Sequence, residues 1–434
     1  MSMRWFLIVV MSVASGVAAL VIAIANAREG PVGFYSRVVL FILLIGILAG
    51  AISLMLLRTR WREAVANAWL VLISSVSAYL ACDLVLGALL LPTYTRPSIP
   101  DAIVHHRYAT NTTSLMVRPE YDLTITTNNL GLRGSNVETR KRPGVCRILV
   151  MGDSFTFGTG VKYEQTYAAL LERELNEDSA LAIQVLNAGV ESYSPILEYL
   201  FLKNFGAALK PDIVVLALDQ GDPVQERYYR SLARFDKDRV PLAVDGMVDY
   251  QHARPQGIVA RWIASHMWLG SWVVRTAMRS HHQQAFEDAV ERANRDLLGH
   301  TLKAHAADYS SAWRGVFESI SLAYQFSRTM GSGFVLVTYP WGHQVSAQEW
   351  SKGRRSFLPE RFEVSDRNLE ATREFAAREG IPLLDLFPAF RGHTGEKKLF
   401  YDVDMHWTPA GHELAAAQLE EFLKAGRLGQ WCNK

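Results

Sequence analysis

Arg147-Ile148-Leu149-Val150-Met151-Gly152-Asp153-Ser154-Phe155 is an apolar run that stops at a small-residue turn carrying a serine. Such a run suits a buried strand, and the turn throws the serine hydroxyl outward at the top of a sheet. Some 250 residues later stands Asp404-Met405-His406-Trp407. A histidine from elsewhere in the chain can take the serine proton, and a nearby acid can hold its tautomer. The two segments therefore read as halves of one serine-ester site, with Ser154 as nucleophile, His406 as base and Asp404 as its acid. Asp402 is a rival for the acid.

Strand-like and helix-like patterns alternate outward from Ser154. Tyr121 to Thr127 alternates as a strand, and Tyr163 to Glu177 has apolar residues at helical spacing. Gln184 to Asn187 reads as a strand, Ile196 to Leu209 as a helix and Asp212 to Leu218 as a buried parallel strand. The alternation resumes with a strand at Gly333 to Thr338, a helix at Asp366 to Glu379, a strand at Pro382 to Leu384 and a helix at Pro409 to Lys424. This order predicts an α/β domain with a parallel sheet between helical layers and chemistry at the carboxyl ends of the strands. Ser154, Gly189 and Gln220 each fall just past a predicted strand. Asp153 is expected to hold the turn and to border the substrate, with His343 and Trp407 as further lining residues.

Four ordered blocks resemble the SGNH/GDSL hydrolase superfamily, in its bacterial branch of membrane-attached acyl-ester hydrolases and acyltransferases. Gly152-Asp153-Ser154 with Gly158 and Gly160 is similar to the nucleophile block, and Asn187-Ala188-Gly189 to the second block. Asp404-Met405-His406-Trp407-Thr408-Pro409 resembles the last block, and Asn128-Asn129-Leu130-Gly131-Leu132-Arg133-Gly134 a segment that precedes the nucleophile strand in this branch. The resemblance runs from about Tyr121 to Leu423 and implies a three-layer, flavodoxin-like SGNH domain. It implies an acyl-serine intermediate, no cofactor, and an oxyanion hole from the amides of Ser154 and Gly189. Two positions depart from the pattern. Val403 stands where many members have the acid, and the resulting Asp-x-His-Trp string is similar to polysaccharide O-acetyltransferases such as those acting on alginate. Leu218-Asp219-Gln220-Gly221-Asp222 lacks the third-block asparagine, which leaves Gln220 as the substitute donor.

The 434 residues leave room for more than this domain. Trp5 to Ala27, Val38 to Leu57 and Ala68 to Leu91 each reach the length of about 20 residues that a membrane-spanning helix requires. Arg4, Arg58, Arg60 and Arg62 against the mixed loop of Arg28, Glu29 and Arg37 place the amino terminus inside and everything after Leu91 outside the cytoplasm. The rival is a signal peptide cleaved near Ala25-Asn26-Ala27. The expected layout is a membrane domain at residues 1–91, a linker at 92–120 and a catalytic domain at 121–434 with a helical insertion near 250–330. Within it, Trp262, Trp268 and Trp272 with Arg261, Arg275 and Arg279 suit either a lid or an interfacial helix. Asp83 in the third span is expected to face protein, either the other helices or a membrane partner such as a multispan acyltransferase.

A net charge of +2 points to no nucleic-acid partner. The expected partners are an acyl-ester or polysaccharide substrate and the lipid bilayer. Cys82, Cys146 and Cys432 have no metal-site spacing; two unpaired extracytoplasmic thiols are the expected state of the last two, with a Cys146–Cys432 disulfide, permitted in that compartment, as the rival. His105-His106 and His412 are expected to pack or be solvated.

Overall fold

The computed structural model describes residues 62–90, 98–177, 181–246, 262–263, 266–268, 270, 298–303 and 310–432. Contacts divide the chain into two units, residues 1–91 with 254–271, and residues 92–253 with 272–434. The first unit contains α1 (Arg62–Leu90), which among the described residues is the one helix long and apolar enough to cross a membrane. It covers the third expected span; the first two lie outside the described residues.

The second unit begins with two antiparallel hairpins, β1 (Ser98–Asp101) with β2 (His105–Tyr108) and β3 (Thr113–Arg118) with β4 (Tyr121–Thr126). Then come β5 (Val145–Met151), the single-turn helix α2 (Ser154–Phe157), α3 (Tyr167–Glu177), β6 (Ala182–Asn187), α4 (Pro195–Asn204) and β7 (Ile213–Leu218). After β7 follow α5 (Asp222–Leu232), the hairpin β8 (Ala233–Phe235) and β9 (Pro241–Val244), α6 (Ser310–Thr329) and β10 (Gly333–Thr338). The chain closes with α7 (Gly342–Val345), α8 (Arg367–Glu379), β11 (Leu383–Asp385), α9 (Phe387–Arg391), α10 (Pro409–Lys424) and α11 (Arg427–Cys432).

Five strands make one parallel sheet in the order β11-β10-β7-β5-β6. Strand alternation sends Ile148, Val150, Ile213, Val215, Val335 and Val337 to one face, and Leu149, Met151, Val214, Leu216, Phe334 and Leu336 to the other. Both faces are buried, which is why these strands read as unbroken apolar runs. From β5 the chain crosses to β6 on one side and later to β7 on the other, so the strand order reverses at β5. Open parallel sheets bind ligands at such a switch point, beyond the carboxyl ends of the strands. Ser154 is placed there by the order of the strands.

Two expectations change. The insertion was expected to run to about residue 330, but α6 is part of the scaffold: Trp313, Val316, Ile320 and Ala323 are buried in the core. Cys146 and Cys432, expected as free thiols, form a disulfide with Cα atoms 5.2 Å apart, pinning α11 to β5. The amino ends of β5 and the carboxyl terminus meet at the base of the sheet, a proximity that spacing alone does not encode.

Candidate active site

Asp153 caps the turn that follows β5. Its Oδ1 accepts the Phe155 N–H at 2.9 Å and the Tyr339 hydroxyl at 3.1 Å, which fixes Ser154 as the first helical residue. A residue at that position has no intrahelical acceptor for its own N–H, so the Ser154 amide is offered to a ligand. Gly158 ends the helix in the left-handed region at φ 82°.

The second block is strapped beside this turn. Asn187 Nδ2 donates to the Thr156 carbonyl at 2.8 Å, and the Val190 N–H donates to the Gly152 carbonyl at 3.0 Å. A Cβ at position 189 would lie 2.3 Å from the Phe157 nitrogen, so only glycine permits this approach. Arg133, buried in the Asn128–Gly134 segment, donates to the carbonyls of Phe157, Gly158 and Val161 and lies over the Phe157 ring. Burial lowers its pKa to about 10, well short of neutralising it.

His406 meets Ser154 from the far end of the chain. Its Nε2 is 2.7 Å from Ser154 Oγ, and its Nδ1 is hydrogen-bonded to Asp404 Oδ1. The His406 N–H also donates to Asp404 Oδ1, at 3.0 Å, and Tyr121 donates its hydroxyl to Oδ2 at 2.7 Å. Asp404 is thus buried and fully hydrogen-bonded. Burial alone would raise its pKa, but His406 and these donors bring it down to about 2. For His406, burial alone would lower the pKa; the Asp404 carboxylate outweighs it and the net shift is upward. Asp402 is placed differently. Its side chain accepts from Ser351 at 2.9 Å and pairs with Lys398, away from His406.

The loop carrying Asp404 is held by a residue that sequence reasoning missed. Glu120, at the β3–β4 turn, accepts the N–H groups of Asp402, Val403 and Asp404 at 2.7, 2.9 and 2.8 Å. With neighbouring Tyr121 it fixes both the backbone and the carboxylate of the acid. A lone glutamate beside a short strand has no periodic signature.

Gly189 and Gln220, both expected as oxyanion donors, are otherwise engaged in this structure. The Gly189 N–H donates to Asn187 Oδ1 at 3.1 Å. Gln220 is buried with Nε2 directed at Thr338 Oγ1, 3.5 Å away. His343 and Trp407, expected to line the substrate pocket, are buried packing residues. His343 Nε2 is 2.8 Å from Thr301 Oγ1, and burial lowers its pKa to about 3, so it stays neutral. Trp407 fills the space between Phe155, Tyr339 and Phe390. His412 is likewise internal, its Nδ1 accepting the Tyr167 N–H at 3.2 Å, and His105 and His106 are buried side by side.

Behind the nucleophile turn lies a set of buried acids. Burial pushes Asp153 up to about 6 and Asp219 up to about 8, and drives Glu198 and Asp222 upward as well. Asp219 is held by the Trp341 indole N–H at 2.6 Å. Burial thus disfavours the charged form of each of these carboxyls.

Residues 321–432 match the family described as an SGNH hydrolase-like domain, acetyltransferase AlgX. That segment contains Asp404 and His406; Ser154 lies outside it. Similar solved structures include TesA, at 15% identity and TM-score 0.35 over 64% of this chain and 98% of that one. Others are the acetyl xylan esterase AlAXEase, at 13% identity and TM-score 0.34 over 63% and 98%, and a catalytic mutant of the acetylxylan esterase Axe2 from Geobacillus stearothermophilus, at 14% and 0.34 over 64% and 93%. No curated protein matches the sequence. Over residues 321–432 the chain is thus similar to the SGNH hydrolase-like domain of the AlgX acetyltransferase family.

Proposed function

We propose that the protein is a membrane-anchored serine enzyme that cleaves or transfers acetyl groups on oxygen esters outside the cytoplasm, with a cell-surface or exported polysaccharide as substrate. The observation that carries this reading is the unbroken chain of hydrogen bonds from Ser154 Oγ through His406 to Asp404. His406 Nε2 takes the Ser154 proton as Oγ bonds to the ester carbonyl carbon, and Asp404 stabilises the imidazolium that forms. The tetrahedral oxyanion faces the Ser154 amide, and Gly189 joins once its N–H turns from Asn187. Collapse passes the proton from His406 to the leaving alkoxide and leaves an acyl-serine. Water, or a sugar hydroxyl deprotonated by His406, then takes the acyl group. Location outside the cytoplasm is supported by α1, which is long and apolar enough to span a bilayer, and by the Cys146–Cys432 disulfide, a bond that persists in oxidising compartments.

The occupied Gly189 amide favours a second reading, in which the fold serves as a glycan-binding or assembly subunit beside a multispan acyltransferase. Acyl-serine trapping separates the two. A fluorophosphonate is expected to label the wild-type chain once and Ser154→Ala not at all. If the wild type stays unlabelled while turning over no aryl acetate, the enzyme reading fails.

A further inference from the structure

Between its two passages through the catalytic unit, the chain makes an excursion: residues 254–271 cluster with residues 1–91, the unit that contains α1, and not with the sheet domain. The contact is specific. Asp83, buried on α1, accepts the Gly270 N–H at 3.2 Å. One turn later, a Cβ on Gly87 would stand 1.9 Å from the His266 carbonyl oxygen, so the two backbones touch there. Asp83 and Gly87 are four residues apart and share one helix face. A Cβ on Gly270 would meet Met267 Cβ of its own segment at 2.8 Å and the Asp83 carboxylate of α1 at 3.5 Å. Close backbone approach at glycines with a polar side chain bonded across the contact is how helices associate inside lipid, where burial of apolar surface gives no drive.

The outward side of this assembly suits lipid. Trp262 and Trp268 are about half exposed, at 50% and 46%, and α1 exposes Leu72, Val76, Tyr79, Leu80 and Val85. Indole rings concentrate where acyl chains meet headgroups. Asp83 lies seven residues before the end of α1, or about 10 Å along its axis, which places the contact in the carboxyl-terminal half of the helix. The excursion starts and ends in that unit, and it is too short for two crossings of about 20 residues each. It enters and leaves from one side.

We infer that Trp262, Trp268 and the backbone at His266 and Gly270 belong to a second membrane anchor, inserted into the extracytoplasmic leaflet of the phospholipid bilayer and docked on α1 through Asp83 and Gly87. This rests on α1 spanning the membrane, as proposed above. The catalytic unit is then tied to the bilayer at three chain crossings instead of one, and its substrate is met at the membrane surface.

The test uses the full chain with a protease site placed in residues 92–97, reconstituted into phosphatidylethanolamine–phosphatidylglycerol liposomes and floated before and after cleavage. The uncut chain is expected to float, and the catalytic fragment is expected to float still after the linker is cut. Release of the cut fragment while the uncut chain floats overturns the second anchor and leaves the spanning reading standing. An uncut chain that does not float overturns the spanning reading itself. Trp262→Ser with Trp268→Ser, and separately Gly87→Leu, should each release the cut fragment while the uncut chains float and turn over aryl acetate as before. Retention of the cut fragment in both variants removes these residues from the anchor and sinks the inference.

Discussion

Replacing Asp404 by asparagine tests the whole reading of the site, because two opposed effects meet on His406. Burial alone would hold the imidazole pKa below its usual value, and the Asp404 carboxylate lifts it above. In Asp404→Asn the charge is gone while burial remains, so the imidazole pKa should fall. The base must be neutral to act. Wild-type kcat/KM is therefore expected to rise with pH through an apparent pKa above about 6.5, and the variant to reach a lower plateau at lower pH. The plateau falls for a second reason: Oδ2 now receives the Tyr121 hydroxyl and Oδ1 the His406 Nδ1–H and backbone N–H, and an amide can satisfy only part of that set. In the arrangement that offers NH2 to Nδ1, the ring takes the tautomer that cannot accept the serine proton. A loss of about 100- to 10,000-fold follows, or ~2.7 to 5.4 kcal/mol of transition-state stabilisation. Asp402→Asn, which only releases Lys398 and Ser351, should change the rate by less than about threefold, as for an exposed ion pair. Hydrolysis of an aryl acetate across pH, with circular dichroism to confirm folding, measures all of this. An Asp402→Asn defect equal to or larger than that of Asp404→Asn, or an acid limb that moves upward in Asp404→Asn, would refute the argument.

Tyr121→Phe removes one donor to the acid and is expected to lower kcat about tenfold with KM unchanged; Glu120→Gln, which weakens three charged hydrogen bonds to the 402–404 backbone, should also cost ~1.5 to 3 kcal/mol in denaturant unfolding. Gln220→Ala should slow turnover by less than about threefold, against the 100- to 1,000-fold expected for a true oxyanion donor, and single-turnover acylation rates distinguish the cases. Cys432→Ser opens a link between residues 286 positions apart and is expected to cost ~2 to 5 kcal/mol of stability, read as a lower chemical midpoint; an unchanged midpoint would show that the carboxyl terminus is held by packing alone.

What was legible in the sequence is what is local. The strand ending in Gly152-Asp153-Ser154 and the loop preceding α10 carry their geometry in a few adjacent residues, so their meeting could be anticipated across the length of the domain. The parallel sheet was legible for a similar reason: strands buried on both faces have no polar interruptions, and β7 and β10 stand out as apolar runs. Residues that act through distant backbone left no trace. Glu120 matters because of three amides on a loop far away in sequence, and Arg133 because of carbonyls that only the folded turn presents. Adjacency also misled. Trp407 is next to His406 in sequence, yet while His406 faces Ser154 the indole turns into the core. The tryptophans of the expected insertion divide: Trp313, on α6, is buried at 7% exposure, whereas Trp262 and Trp268 are half exposed.

The oxyanion hole is where local and distant information conflict. The second block supplies its glycine, and the close approach to Phe157 explains why no larger residue fits, but the amide of that glycine is bonded to Asn187 in the structure. Asn187 is itself fixed by its bond to the Thr156 carbonyl, inside the same turn that presents Ser154. Recruiting Gly189 therefore requires only that its N–H turn from Asn187 Oδ1 toward a developing negative charge, a stronger acceptor than a neutral amide oxygen. In the proposed mechanism this exchange would favour the transition state over the ground state, because a neutral ester carbonyl carries less charge than the oxyanion, and interactions made only in the transition state are the ones that raise the rate.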